Sequence, residues 1–502
     1  ANEEITNYNE ITKRGFEILQ DILAKDDPTK PGAHDVIFFI TSSNEAFTLC
    51  KMLNEKLKNE KGGECKLACT GDVYCIEVFA GMNPEKQNLA QDKELYKSKN
   101  NYNRKVVMAT NVAESSLTID GLKYVIDSGY ELSGTYDPEN HARKLERELI
   151  TQAQAKQRMG RAGRTEPGIC YHLYTKDTFE NQMKKFPEPD IRTSDITGEC
   201  LKLMNNEKIN TVEKLIQTLS NFIEPPREIY LKSAIDTLMQ LGAIENNEIT
   251  KLGKLLNDIP ADNIFASLAI IYGKIYNCGF EVMKILSLID ASKGNVSDLY
   301  NLPSNIAGKK GMTEEQLKQM TQMLEKKFRD ARRKFMDKSG DHLSLLNIYE
   351  TFDDKHDKYK DKKHELDDWA YDNFLKIDRL MKAKSSFKLM KQRVRGVIKD
   401  KIIPEELGIK FFPEINELDL KDKILTCFLM GYRLNTAART QEGLYRTQFA
   451  KDIRIKINKI SFLSLNDKEP KNVFYNELFI SMGKNELVIV SEIPKKIIKI
   501  LA

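Results

Sequence analysis

The run Lys105-Val106-Val107-Met108-Ala109-Thr110 is apolar without alternating, so as a strand it is covered on both faces. A parallel sheet with helices on each side provides that cover. Asp35-Val36-Ile37-Phe38-Phe39-Ile40 and Tyr124-Val125-Ile126-Asp127 repeat the pattern, and Ile76–Phe79 and Ile169–Tyr174 are further candidate strands. Helical periodicity runs through Ile5–Leu23 and again from Glu45 to Leu57. Strands and helices in this order predict an open parallel α/β layer over residues 1–185. In such sheets ligands bind beyond the carboxyl ends of the strands, where Thr110, Asn111 and Asp120 fall.

The octapeptide Gln157-Arg158-Met159-Gly160-Arg161-Ala162-Gly163-Arg164 follows. If it is helical, Gln157, Arg161 and Arg164 share one face, and Gly160 and Gly163 allow another backbone or a ligand close. Two guanidiniums and an amide in one stripe suit a polyphosphate.

Three stretches now carry a resemblance. Ala109-Thr110-Asn111-Val112-Ala113-Glu114-Ser115-Ser116-Leu117-Thr118-Ile119-Asp120-Gly121, then Tyr124-Val125-Ile126-Asp127-Ser128-Gly129, then the octapeptide with Thr165, resemble motifs V, Va and VI of the DEAH-box (DEAH/RHA) family of superfamily 2 helicases. The resemblance implies a multidomain chain. Its parts would be a second RecA-like helicase lobe of the P-loop NTPase type over 1–185, an all-α winged-helix over 186–258, a ratchet helical bundle over 259–400, and a small β-barrel, an OB-fold, over 401–502. It also implies roles. Gln157 would orient the attacking water, and Arg161 and Arg164 would face the γ-phosphate as catalytic fingers. Thr118 and Asp120 would touch the nucleotide, and Thr110, Asn111 and Ser116 the nucleic-acid backbone. Between Gly129 and Gln157 the family places a β-hairpin. Where the family has an aromatic residue for the nucleotide base, this chain has Ala90-Gln91, with Tyr96 the nearest ring.

Beyond residue 186 the pattern turns helical, broken by two short strands around Asn246-Asn247. The charged run within Glu314–Asp337 reads as a solvated helix face. Asp341 reads as an N-cap, with His342 beside it in a structural role. From about Ile402, short strands of period two reappear. In an OB-fold such strands present stacking rings and basic grooves to single strands, which makes Tyr445, Arg446 and Arg454 nucleic-acid-binding candidates.

A net charge of +4 is only mildly basic, so any nucleic-acid site is a local concentration of charge. No apolar run approaches the ~20 residues of a membrane span, so no membrane partner is expected. The eight cysteines are scattered, which fits a reducing intracellular compartment, cytoplasmic or nuclear. Cys65, Cys69 and Cys75 cluster without a C-x2-C pair or a nearby histidine, so they read as reduced loop thiols and no metal site is expected.

The chain contains neither G-x-x-x-x-G-K-S/T nor an Asp-Glu-x-His tetrad. ATP and Mg²⁺ would then be held mainly by a first RecA lobe that this sequence lacks. The resemblance therefore implies the C-terminal part of an ATP-dependent RNA helicase, inactive by itself. Its expected partners are single-stranded RNA or DNA, the first lobe, and a helicase-activating protein. A catalytically inert RNA-binding or scaffold module, and a DNA-directed helicase, are the alternatives.

Overall fold

The computed structural model describes residues 7–60, 72–82, 84–99, 102–115, 117–163, 166–303, 314–360, 362–466, 469–481 and 483–501. The chain divides into two units, Ala1–Gly134 with Leu145–Glu188, and Thr135–Lys144 with Pro189–Ala502.

In the first unit five strands pair in the order β2 (Asp72–Val78), β3 (Tyr102–Ala109), β1 (Asp35–Phe39), β4 (Leu122–Asp127), β7 (Ile169–His172). All four pairings are parallel, with Val36 opposite Val106 and Phe38 opposite Met108. Successive side chains of a strand point to opposite faces, and each face has its own core. Val36 and Phe38 join Ile11, Phe16 and Leu19 of α1 (Tyr8–Lys25) and Leu49 and Leu53 of α2 (Ser43–Glu60). Ile37 and Phe39 join Val107, Ala113 and Leu89, the last from α3 (Pro84–Gln91). A strand with helices on both sides has no polar face, which is why these runs do not alternate.

The packing of α2 against β2 corrects one expectation. Cys50 and Cys75, with Cα atoms 5.6 Å apart, form a disulfide. Cys75 is thus neither reduced nor in a loop: its partner comes from the preceding helix, a tertiary contact that cysteine spacing does not reveal. Cys65 and Cys69 lie outside the described residues.

The second unit is mainly helical. After α8 (Glu228–Gln240), β8 (Ile244–Glu245) and β9 (Glu248–Ile249) form a two-stranded sheet turned by Asn246 and Asn247, both at positive φ. Near the chain's end β11 (Tyr445–Thr447), β10 (Thr436–Arg439), β13 (Asn472–Ser481), β14 (Lys484–Glu492) and β12 (Lys456–Ile457) pair in that order. The two ends of this path meet at one isolated bridge, Tyr445 to Ile455. Apart from that single bridge no strand pairing closes the path among the described residues, so the small barrel expected here is not shown.

Two further expectations change here. Gly340, not Asp341, is the N-cap of the helix Asp341–Lys358, and the position admits no side chain, since a Cβ there would stand 2.4 Å from the Val490 carbonyl oxygen. Asp341 instead lies buried, accepting from the N–H groups of Val490 (2.7 Å) and Phe462 (2.6 Å) and from the Ser461 hydroxyl (2.9 Å). Arg332, at the end of the charged helix Glu314–Arg333, is not solvated either. It is buried with its guanidinium over the Phe462 ring and bonded to the Ile460 carbonyl. His342 does lie in the interior, between Ser491 Oγ (2.8 Å) and Asn476 Oδ1 (2.9 Å). No described helix is long and apolar enough to cross a membrane.

Candidate functional site

β3 ends at Ala109 and the chain turns at once into a single helical turn, α4 (Val112–Ser115). The turn is closed by Ala113 N–H to the Thr110 carbonyl (3.1 Å) and Glu114 N–H to the Asn111 carbonyl (2.9 Å). Thr110 is buried and Asn111 is exposed at the carboxyl end of the sheet. Ser116 lies outside the described residues. Thr118 and Asp120 are both exposed on the loop into β4, with the Asp120 N–H anchored on the Gln91 carbonyl at 3.0 Å.

The octapeptide enters from α5 (Gln152–Met159). Thr151 and Gln154 form a capping box that fixes where this helix starts. Gly160 caps its other end, and Arg161 and Ala162 continue only as i to i−3 turns. Among the described residues Gln157 and Arg161 therefore do not share one exposed stripe. Gln157 is exposed, whereas Arg161 is 4% exposed and bonded to the Leu117 carbonyl (2.6 Å) and the Glu114 carbonyl. The cause is local. With the helix ending at position 160, the Arg161 side chain turns toward one carbonyl of α4 and one of the loop after it. Arg164 lies outside the described residues.

Beneath these residues is a buried charged group. Arg158 is fully buried, its Nε donating to Glu114 at 2.6 Å and its Nη1 to Asp127 at 2.9 Å. Its guanidinium also lies over the Phe39 ring. Asp127 further accepts from the Tyr174 hydroxyl (2.8 Å) and the Gly129 N–H (3.0 Å). Burial alone would raise the Asp127 pKa, but the Arg158 charge, the His172 side chain and the Gly129 N–H hold it down at about 2. Gly129, at φ +77, leaves room for the Tyr174 ring, which a Cβ would meet at 2.4 Å. One arginine thus fixes the segment after β3, the end of β4 and the helix α5 as a single piece. Glu114, Asp127 and Arg158 each stand inside a recognised motif, and their opposite charges were the available signal.

Tyr96 does not present a ring for a base: it is 2% exposed and its hydroxyl donates to Asp35 at 3.2 Å. In the second unit Tyr445 is likewise excluded as a stacking platform. It is fully buried, with its hydroxyl donating to the Pro470 carbonyl at 2.7 Å, because the alternation of β11 turns it inward. Arg446, its outward neighbour, and Arg454 are exposed and line one groove of about 540 Å³ with Lys451, a cation the sequence reading missed. No group of three or more His, Cys, Asp or Glu able to hold a metal occurs among the described residues.

Comparison with known proteins agrees with the motifs. Residues 15–166 match the family model described as the helicase conserved C-terminal domain. A putative ATP-dependent RNA helicase of Acanthamoeba polyphaga mimivirus is 29% identical over 496 residues, covering 97% of this chain and 65% of the relative. A probable ATP-dependent RNA helicase of Pongo abelii is 28% identical over 453 residues, covering 89% of this chain and 54% of the relative. The chain therefore spans less than two thirds of the length of these relatives. The motifs and these matches together support a DEAH-box superfamily 2 helicase C-terminal half.

Proposed function

We propose that this chain is the nucleic-acid-engaging, nucleotide-completing part of an ATP-dependent RNA helicase that moves 3′ to 5′ on a single strand. One observation carries the reading. The buried Arg158 bonds both Glu114 and Asp127, and so locks the segments bearing Thr110, Asn111, Thr118 and Asp120 to the helix bearing Gln157. Candidate nucleotide and nucleic-acid groups are thereby held on one rigid support, as pre-organised sites require.

In this reading ATP and Mg²⁺ are bound mainly by a P-loop lobe outside this sequence, and Mg²⁺ supplies charge neutralisation on the phosphates when bound. The exposed side chains of Thr118, Asp120 and Gln157 fit a role at the edge of such a nucleotide. Arg161 is pre-ordered on the Leu117 carbonyl, and Arg164 is its proposed companion. Thr110, Asn111 and Ser116 contact backbone rather than bases, so translocation is largely independent of sequence. The four-part division at residues 185, 258 and 400, with winged-helix, ratchet and OB-like parts, is proposed on the same resemblance. RNA is favoured over DNA by the names of the two relatives. A helicase-activating protein is a further proposed partner.

The test is a steady-state ATPase assay with and without single-stranded RNA, on the chain extended to the length of its relatives. RNA-stimulated hydrolysis supports the reading, and RNA binding without any hydrolysis supports the inert scaffold instead.

A further inference from the structure

Glu131, on the first hairpin strand (Tyr130–Asp137), stands between two segments with different proposed partners. Its Oε2 accepts from Asn111 Nδ2 at 3.2 Å and from Gln154 Nε2 at 2.9 Å. The Gln154 side chain has no freedom to turn its amide round. Its Oε1 is held by the Thr151 N–H at 2.8 Å and the Thr151 hydroxyl at 3.0 Å, which commits Nε2 to Glu131 and, at 3.5 Å, to Glu114. Glu114 is in turn bound to Arg158. The first turn of α5, the base of the hairpin and the exposed Asn111 amide are therefore joined by one continuous hydrogen-bonded chain within a single unit.

We propose that Glu131 and Gln154 are positioning residues that couple the octapeptide helix to Asn111, so that a change at the nucleotide edge alters how Asn111 presents its amide to a nucleic-acid phosphate. Glu131 touches neither ligand in this account. It holds the Asn111 donor in one orientation, and a shift confined to the first turn of α5, away from the Arg158 anchor in its last turn, moves that hold through Gln154. Such a coupling works in both directions, so nucleic acid seated on Asn111 also biases α5. The proposal rests on the helicase reading above.

The experiment has two arms. In the chain extended by its P-loop lobe, Glu131→Ala, Gln154→Ala and the double variant are assayed for ATP hydrolysis with and without single-stranded RNA. Each single variant is expected to lower RNA stimulation about tenfold. The double variant should be no worse than either single, because both break the same link. Equal losses in basal and stimulated rates, or additive losses, would overturn the proposal by showing a merely structural role.

The second arm uses the 502-residue chain and the side-chain amide signal of Asn111 in a nitrogen-15 spectrum. Gln154→Ala should shift that signal when Glu131 is present and leave it unmoved in a Glu131→Ala background. No shift overturns the link whatever the enzyme does. A shift in a protein whose unmutated form shows no RNA-stimulated hydrolysis upholds the link and rejects the helicase reading.

Discussion

Arg158 donates to Asp127 at 2.9 Å with both side chains fully buried, and the same guanidinium reaches Glu114 at 2.6 Å. A buried cation with two buried carboxylates is a geometry that tolerates no single deletion. Arg158→Ala leaves two uncompensated acids inside the lobe, which costs about 3–5 kcal/mol. Arg158→Lys keeps the charge but loses the fork that serves two partners, so it should fall between. Chemical denaturation of the first unit, followed by a probe within it, checks the order. Arg158→Ala within 1 kcal/mol of the unmutated chain would contradict it.

Reduction gives a second expectation. The Cys50–Cys75 bridge closes a loop across a sequence separation of 25. In the chain-entropy account a bridge of this span stabilises by roughly 3 kcal/mol. Cys75→Ser should lower stability by that order, and Cys50 should resist alkylation in the folded protein until a reductant is added. Immediate labelling of Cys50 without reductant would show that the bridge is not formed.

In the second unit burial holds the His342 pKa down at about 4. Because the unfolded chain takes up this proton near pH 6.5, the contribution of neutral His342 is complete above that value and is lost as pH falls toward 4, roughly 3 kcal/mol in all. Asp341, pushed up to about 6 by burial, works in the opposite sense over much of the same window, so the raw profile is flattened. The difference between His342→Gln and the unmutated chain isolates the histidine. That difference should move in favour of the variant as pH falls from 6.5 to 4, and a constant difference would rule out the effect.

The groove that carries Arg446, Lys451 and Arg454, with the carboxylates of Glu442 and Asp452 also lining it, should bind single strands through phosphate charge alone, since Tyr445 is unavailable for stacking. Each substitution of one of these cations by alanine should lower the salt slope of oligonucleotide binding by about 1 and weaken all sequences alike. A fluorescence-anisotropy titration over several salt concentrations measures this. An unchanged slope in the triple variant removes the groove from the nucleic-acid path.

The parallel lobe was legible because non-alternating apolar runs of strand length, set between helical stretches, fit strands covered on both faces. Both faces of Val36–Phe39 are indeed covered by helices. Motif order made Thr110, Asn111 and Gln157 legible as candidates at one edge. The direction of Arg161 was not. A period of 3.6 assumes that the helix continues, and Gly160 ends it. The Cys50–Cys75 pair and the inward turn of Tyr445 depend on contacts between elements far apart in sequence or on strand phase, and neither is written in local pattern. Glu131 and Gln154 fall outside the three quoted motif stretches, so only the fold brings them to Asn111.

The most direct measurement on the central claim is ATP hydrolysis, with and without single-stranded RNA, by the chain extended to the length of its relatives, compared with Arg161→Ala and with the 502-residue chain alone. The prediction is RNA-stimulated turnover that Arg161→Ala lowers by ~10³–10⁵ while RNA affinity changes little, because a finger acts on charge that develops only in the transition state. The 502-residue chain, without a P-loop sequence, should show none. Turnover by that chain alone, or an Arg161→Ala enzyme that keeps its basal rate and loses RNA affinity, would contradict the account.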